Sequence, residues 1–209
     1  MSYGKRLELL RKASRIYELK MRTFIAIELP ENIKTSLKNI QDELKKCGAD
    51  VKWVEPENIH LTLKFLGEIE ENQLEAINQA IEETAKNKPK YLITLSGLGV
   101  FPDLKRPRII WIGIKDQNNA TKLIAEELEE KLEKINIPKE ERKFLGHITI
   151  GRVKSGLNKD KLAEKLETLN IDLAKDMGFI ADKITLFKST LGPKGPAYET
   201  LKEVTLNTT

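Results

Sequence analysis

Apolar and polar positions along the chain fall into two kinds of segment. Phe24-Ile-Ala-Ile-Glu-Leu29 and Ile59-His-Leu-Thr-Leu-Lys-Phe65 read as strands. Between them, after Pro30, the stretch from Glu31 to Lys46 carries Ile33, Leu37, Ile40 and Leu44 on one helical stripe. The same order returns further on: a strand at Ile109-Ile-Trp-Ile-Gly-Ile114, a helix from Asn119 to Ile135 with Leu123, Glu127, Leu128, Leu132 and Ile135, and a strand at His147-Ile-Thr-Ile-Gly151. Each copy continues with a second helix, Asn72 to Asn87 and Asn158 to Leu169, and then a third strand, Tyr91 to Leu95 and Lys183 to Phe187.

This is an internal repeat. Phe24 to Ile109 spans 85 residues, His60 to His147 spans 87 and Tyr91 to Phe179 spans 88. Each half reads β-α-β-α-β, with a final strand from Glu199 to Leu206 delivered by the turn Gly192 to Pro196 and a linker from Gly97 to Arg108. The expected fold is α+β and bilobal. Two pseudo-symmetric units, about 21–100 and 107–209, would place antiparallel-type sheets facing a central cleft, with helices outside. Residues 21–209 form the one expected domain.

Composition narrows the class. With 209 residues, 40% apolar and 33% charged, the chain has the means to bury a core. Its 28 Lys, 24 Glu, 22 Ile and only 4 Gln lean toward heat-adapted proteins. The single cysteine, Cys47, forbids an internal disulfide and favours a cytoplasmic setting. No apolar run reaches the roughly 18–20 residues of a membrane span, so no membrane role is expected. The formal charge of +4 resides wholly in residues 1–20, where six Lys and Arg face two Glu (6 − 2 = +4), leaving 30 − 30 = 0 for the rest. Read functionally, that leader is a basic amphipathic helix; read plainly, it is an appended start, because Met21 itself opens a strand.

The chain has two histidines, and each opens the same pattern: His60-Leu61-Thr62-Leu63 and His147-Ile148-Thr149-Ile150. Strand alternation sends Leu61, Leu63 and Phe65 to one face and His60, Thr62 and Lys64 to the other. In the second copy His147 and Thr149 share the open face. One His-x-Thr taken alone is most often structural, but duplication at equivalent positions, using every histidine, points to a site. Splitting a phosphodiester needs one group to take a proton from the nucleophile and one to give a proton to the departing oxygen, and imidazole does either near neutral pH. The two threonine hydroxyls are suited to the non-bridging phosphoryl oxygens. A metal phosphoesterase would need carboxylates beside the histidines, and neither motif has one.

These segments, with Arg22 to Pro30, Asn58 to Gly67, Gly99 to Pro102, Pro107 to Trp111 and His147 to Arg152, resemble the two-histidine phosphoesterase superfamily. Within it the closest resemblance is to the RNA 2′,3′-cyclic phosphodiesterases, also known as 2′-5′ RNA ligases. The resemblance covers Met21 to Leu206. It implies metal-independent opening of terminal 2′,3′-cyclic phosphates to 2′-phosphates, and ATP-independent joining of RNA ends, with no cofactor. It further implies His60 as proton donor to the leaving oxygen, His147 as the acceptor that activates water, and phosphate contacts from Thr62, Thr149 and Arg152. Pseudo-symmetry alone leaves the two histidines interchangeable. Implied partners are RNA ends, such as tRNA fragments or short oligonucleotides, and cyclic nucleotides, bound by a monomer. Gly146 departs from the family pattern, in which Pro commonly precedes the second histidine.

Lesser candidates are Phe24 and Lys64 for base or phosphate contact, Trp53 and Trp111 for stacking or core, and the loop cations Lys105, Arg106 and Arg108. Arg152 has the wrong parity for the open face unless Gly151 introduces a bulge. The rival reading is a non-catalytic module that binds RNA ends in the same cleft.

Overall fold

The computed structural model describes residues 20–170, 177–193 and 195–207. The basic leader, apart from Lys20, lies outside them. Its strands are β1 (Met21–Glu28), β2 (Val51–Trp53), β3 (His60–Ile69), β4 (Tyr91–Phe101), β5 (Ile109–Asp116), β6 (His147–Val153), β7 (Gly178–Ala181), β8 (Lys183–Gly192) and β9 (Gly195–Thr205). The helices are α1 (Glu31–Lys45), α2 (Leu74–Ala85), α3 (Ala120–Glu133) and α4 (Lys159–Asn170). Repeat order and helix positions follow the hydrophobic pattern. The short β2 carried no such signal, and β4 continues through the expected linker to Phe101, with Gly97 (φ 71°) absorbing a bulge between Ser96 and Leu98.

All strands pair antiparallel, in the order β7-β4-β5-β6-β3-β1-β8-β9, with β2 beside β6. The two sheet regions are therefore continuous, joined where Leu61 of β3 pairs with Ile148 of β6. The third strand of each repeat crosses over: β4 of the first half pairs with β5 of the second, and β8 of the second pairs with β1 of the first. The halves are interlocked.

One face of the sheet meets the helices in a single core in which Ile25, Ile27, Leu61, Ile110, Ile112 and Ile148 are almost wholly buried, as are Leu37 and Leu44 of α1. Each such side chain contributes about 1.5–3 kcal/mol by leaving water. The α1 stripe is as the spacing predicts, and in α3 the expected Leu128 and Leu132 are buried while the start of the stripe differs. Its buried residues are Thr121, Ile124, Ala125, Leu128 and Leu132, while Leu123 is exposed. Asn118 and Asn119 take left-handed backbone before it, and Asp116 accepts the Thr121 amide at its first turn. The opposite face of the sheet holds a small second cluster of Phe24, Ala26 and Phe187 with Tyr198 against it.

Candidate active site

Both histidine strands bulge at the same place, and the bulges decide which side chains reach the site. Against β1, Ala26 pairs with Thr62 and Ile25 with Lys64, so Leu63 is an extra residue. Against β5, Trp111 pairs with Thr149 and Ile110 with Gly151, so Ile150 is the extra residue of the second copy. An extra residue reverses the alternation beyond it. Lys64 therefore joins the buried face and Phe65 turns outward, 53% exposed. This corrects the expectation for both: Lys64 makes no contact in the cleft, because its ammonium bonds Glu129 Oε2 (2.8 Å) and the Pro138 carbonyl (2.7 Å) beneath the sheet. By the same reversal Arg152 gains the open face.

Each bulge is braced by the first helix of the other half. Buried Gln41 of α1 donates from Nε2 to the carbonyls of Ile150 and Val54, both at 2.8 Å. Glu129 of α3 takes the corresponding part through Lys64. Gly151 allows this packing, because a Cβ there would stand 2.9 Å from Val51 Cγ1 and 3.1 Å from the Trp53 ring.

His60, Thr62, Thr149, Arg152 and Phe24 line one cleft of about 880 Å³. His147 is not among its walls. Extending the Leu61–Ile148 register by one residue each way sets Thr62 opposite His147 and His60 opposite Thr149, all four on the face away from the core. The two histidines then lie on a diagonal of that four-residue square, a spacing of about 7–8 Å between backbones.

The imidazoles are held alike. His60 Nδ1 lies 2.8 Å from the Asn58 carbonyl and His147 Nδ1 lies 2.7 Å from the Leu145 carbonyl, each two residues upstream. A carbonyl only accepts, so Nδ1 carries the proton and Nε2 is left for chemistry. Behind each ring stand aromatics. Phe24 stacks on His60 at 4.6 Å between centroids and Tyr198 meets it edge-on at 5.3 Å. Phe101 meets His147 edge-on at 5.1 Å, with Trp111 at 6.2 Å. Phe24 and Trp111 are 87 residues apart, the offset of the histidines themselves, so this pairing was available from the sequence. The support from Tyr198, Phe187 and the two carbonyls was not. Asn58 Nδ2 also donates to the Pro196 carbonyl, tying the His60 turn to the β8–β9 hairpin.

Burial sets the charge state of the His60 ring. It pushes the imidazole down to about 4, opposed in part by the Asn58 bond, with a lesser push in the same downward direction from the nearby Arg152 guanidinium. His60 is thus neutral at pH 7, with the Nε2 lone pair free. Lys105, Arg106 and Arg108 are exposed in the 102–108 loop and do not line the cleft, whereas half-buried Trp53 does. Among the described residues no group of three or more His, Cys, Asp and Glu is placed to hold a metal, and no helix is long and apolar enough to cross a membrane.

The model of the LigT-like phosphoesterases matches residues 27–111 and again 112–198, one match to each repeat. A Methanocaldococcus jannaschii protein named RNA 2′,3′-cyclic phosphodiesterase is 42% identical over 186 residues, covering 88% of this chain and 99% of its own. A Thermotoga maritima protein of the same name is 38% identical, covering 88% and 94%. A crystal structure from Thermus thermophilus superposes with a TM-score of 0.75 at 26% identity, covering 90% of this chain and 99% of its own. Escherichia coli LigT complexed with 3′-AMP shares the fold at a TM-score of 0.72, with 22% identity over 90% of this chain and 98% of that one.

Proposed function

The chain belongs to the LigT-like phosphoesterase family, and from that premise we propose that it hydrolyses RNA 2′,3′-cyclic phosphate ends to 2′-phosphates with its two histidines as general acid and base. The observation that carries the reading is the matched pair of rings, each bonded through Nδ1 to a backbone carbonyl so that Nε2 is the working atom, on strands whose Leu61–Ile148 register turns both rings to the face of Thr62 and Thr149.

In this reading the cyclic phosphate sits between the two His-x-Thr pairs. Water attacks phosphorus and loses a proton to His147 Nε2, while the P–O3′ bond breaks and O3′ takes the proton of His60 Nε2. Each proton transfer typically contributes about 10²–10⁴-fold. Thr62, Thr149 and Arg152 stabilise the charge gathering on the non-bridging oxygens. His60 is neutral in the free protein, so it acquires its proton as the anionic phosphate enters and offsets burial and Arg152. With an RNA 5′-hydroxyl as nucleophile in place of water, the same pair would join ends through a 2′-5′ linkage without ATP. No metal takes part, and the setting is cytoplasmic.

The test uses an RNA ending in 2′,3′-cyclic phosphate, with EDTA present, on the protein and on His60→Ala and His147→Ala. Loss of at least about 100-fold in each variant is expected. A 3′-thio leaving group needs no proton, so it should restore His60→Ala and leave His147→Ala inactive. Full rate in both variants would overturn the mechanism, and rescue of His147→Ala instead would reverse the two roles.

A further inference from the structure

The cleft extends past the residues needed for one phosphorus centre, and its extension gathers several cations. Arg22, Lys52, Arg152 and Lys154 line it, and among the described residues none of them forms an ion pair. Many lysines elsewhere are tied to carboxylates, as with Lys38, Lys45 and Asp42 on α1, Lys88 with Glu127, and Lys183 with Glu28, while others such as Lys86, Lys115 and Lys143 stand unpaired among the described residues but singly on the outer surface. Two acids, Glu55 and Glu57, share the cleft wall. In a body of zero net charge, four unpaired cations in one groove are a concentrated positive field.

Between the cations the groove is apolar. Phe65 is 53% exposed and Leu191, near the end of β8, is 70% exposed, although both sit in strands. Comparing the halves sharpens the point. Phe65 and Arg152 lie 87 residues apart and are each the first outward residue after the bulge, so a pseudo-symmetric cleft presents a ring on one flank and a guanidinium on the other. Lys52 reaches across toward the β8–β9 hairpin, its Nζ 3.8 Å from where a Cβ on Gly195 would stand. The groove thus runs between β2 and that hairpin.

Resting on the phosphodiesterase reading, we infer that this extension is a track for the single-stranded RNA upstream of the cyclic phosphate, with Phe65 stacking on a base and Arg22, Lys52 and Lys154 meeting backbone phosphates. An exposed ring in a cationic groove takes an unpaired base, which a duplex does not present. The substrate is accordingly an oligonucleotide end in preference to a free nucleoside cyclic phosphate.

The experiment compares kcat/KM for a nucleoside 2′,3′-cyclic phosphate with that for a five-nucleotide RNA ending in the same group, using the full chain. The oligonucleotide should be preferred, and Phe65→Ala should cut that preference by about 5- to 150-fold, the range that base–aromatic stacking spans. Phe65→Trp should keep it. Replacing Arg22 and Lys52 together by Gln should flatten the salt dependence of the oligonucleotide KM by about 1.4 in log–log slope. Equal use of both substrates, or an unchanged preference in Phe65→Ala, would overturn the track while leaving the phosphodiesterase reading intact. Hydrolysis of neither substrate would overturn that reading itself.

Discussion

Lys64→Met replaces a buried ammonium by an apolar chain of similar length and leaves its partners behind. The side chain is 1% exposed, and its two bonds, to Glu129 and to the Pro138 carbonyl, link β3 of one half to α3 and the following loop of the other. Breaking a buried pair from one side typically costs about 3–5 kcal/mol, because an uncompensated charge remains. Glu129 is 20% exposed and also accepts the Glu140 amide, so water relieves part of that charge and the lower end applies, about 3 kcal/mol. At about 2–4 °C per kcal/mol for a chain of this size, Tm should fall by roughly 6–12 °C. Urea unfolding followed by circular dichroism should show a lower midpoint at unchanged slope. Removing both ions, as Lys64→Met with Glu129→Leu, should recover at least half the loss, since an apolar pair replaces a buried ion pair at little cost. A single variant within about 1 kcal/mol of the parent, or a double variant less stable than the single, would refute the brace.

Two further outcomes follow from the same geometry. His60 has a folded-state pKa of about 4, below its ordinary 6.5, so the unfolded chain binds the extra proton. Its contribution is present above pH 6.5 and is lost as pH falls toward 4, at most about 3 kcal/mol, and the acid-side slope of stability should be shallower in His60→Gln; identical slopes in the two proteins would show that the ring is not held neutral. At Gly99 a Cβ would stand 2.2 Å from Trp111 Cζ2, so Gly99→Ala must displace the indole that stands behind His147. It should cost about 1–3 kcal/mol and change the near-ultraviolet circular dichroism, whereas an unaltered spectrum and Tm would show that the ring is not held there.

The parity failures share one cause. Strand alternation placed Leu61, Thr62, Ile148 and Thr149 on their faces and then failed at Lys64, Phe65 and Arg152, all beyond a bulge. A bulge is a property of two strands paired with an offset, and Leu63 and Ile150 look in sequence like ordinary core residues. Nothing within β3 announces that Lys64 will meet Glu129, 65 residues away. The glycine after the second histidine motif was the one local hint, and it concerned Arg152 alone. Likewise Leu123 of α3 is exposed while its neighbours Ile124 and Ala125 are buried, a choice that apolar spacing alone does not make.

What the chain declared unaided was its duplication, the order of strands and helices in each half, and the paired His-x-Thr motifs. These are written in short-range periodicity and in an offset that no folding can alter. Folding decided the exchange of third strands, the bracing of each bulge by the opposite half, the desolvation of His60 and the outward turn of Phe65. Each of those depends on which distant segments come to share a face, and the energy that selects them arises only once the whole sheet has closed over its core.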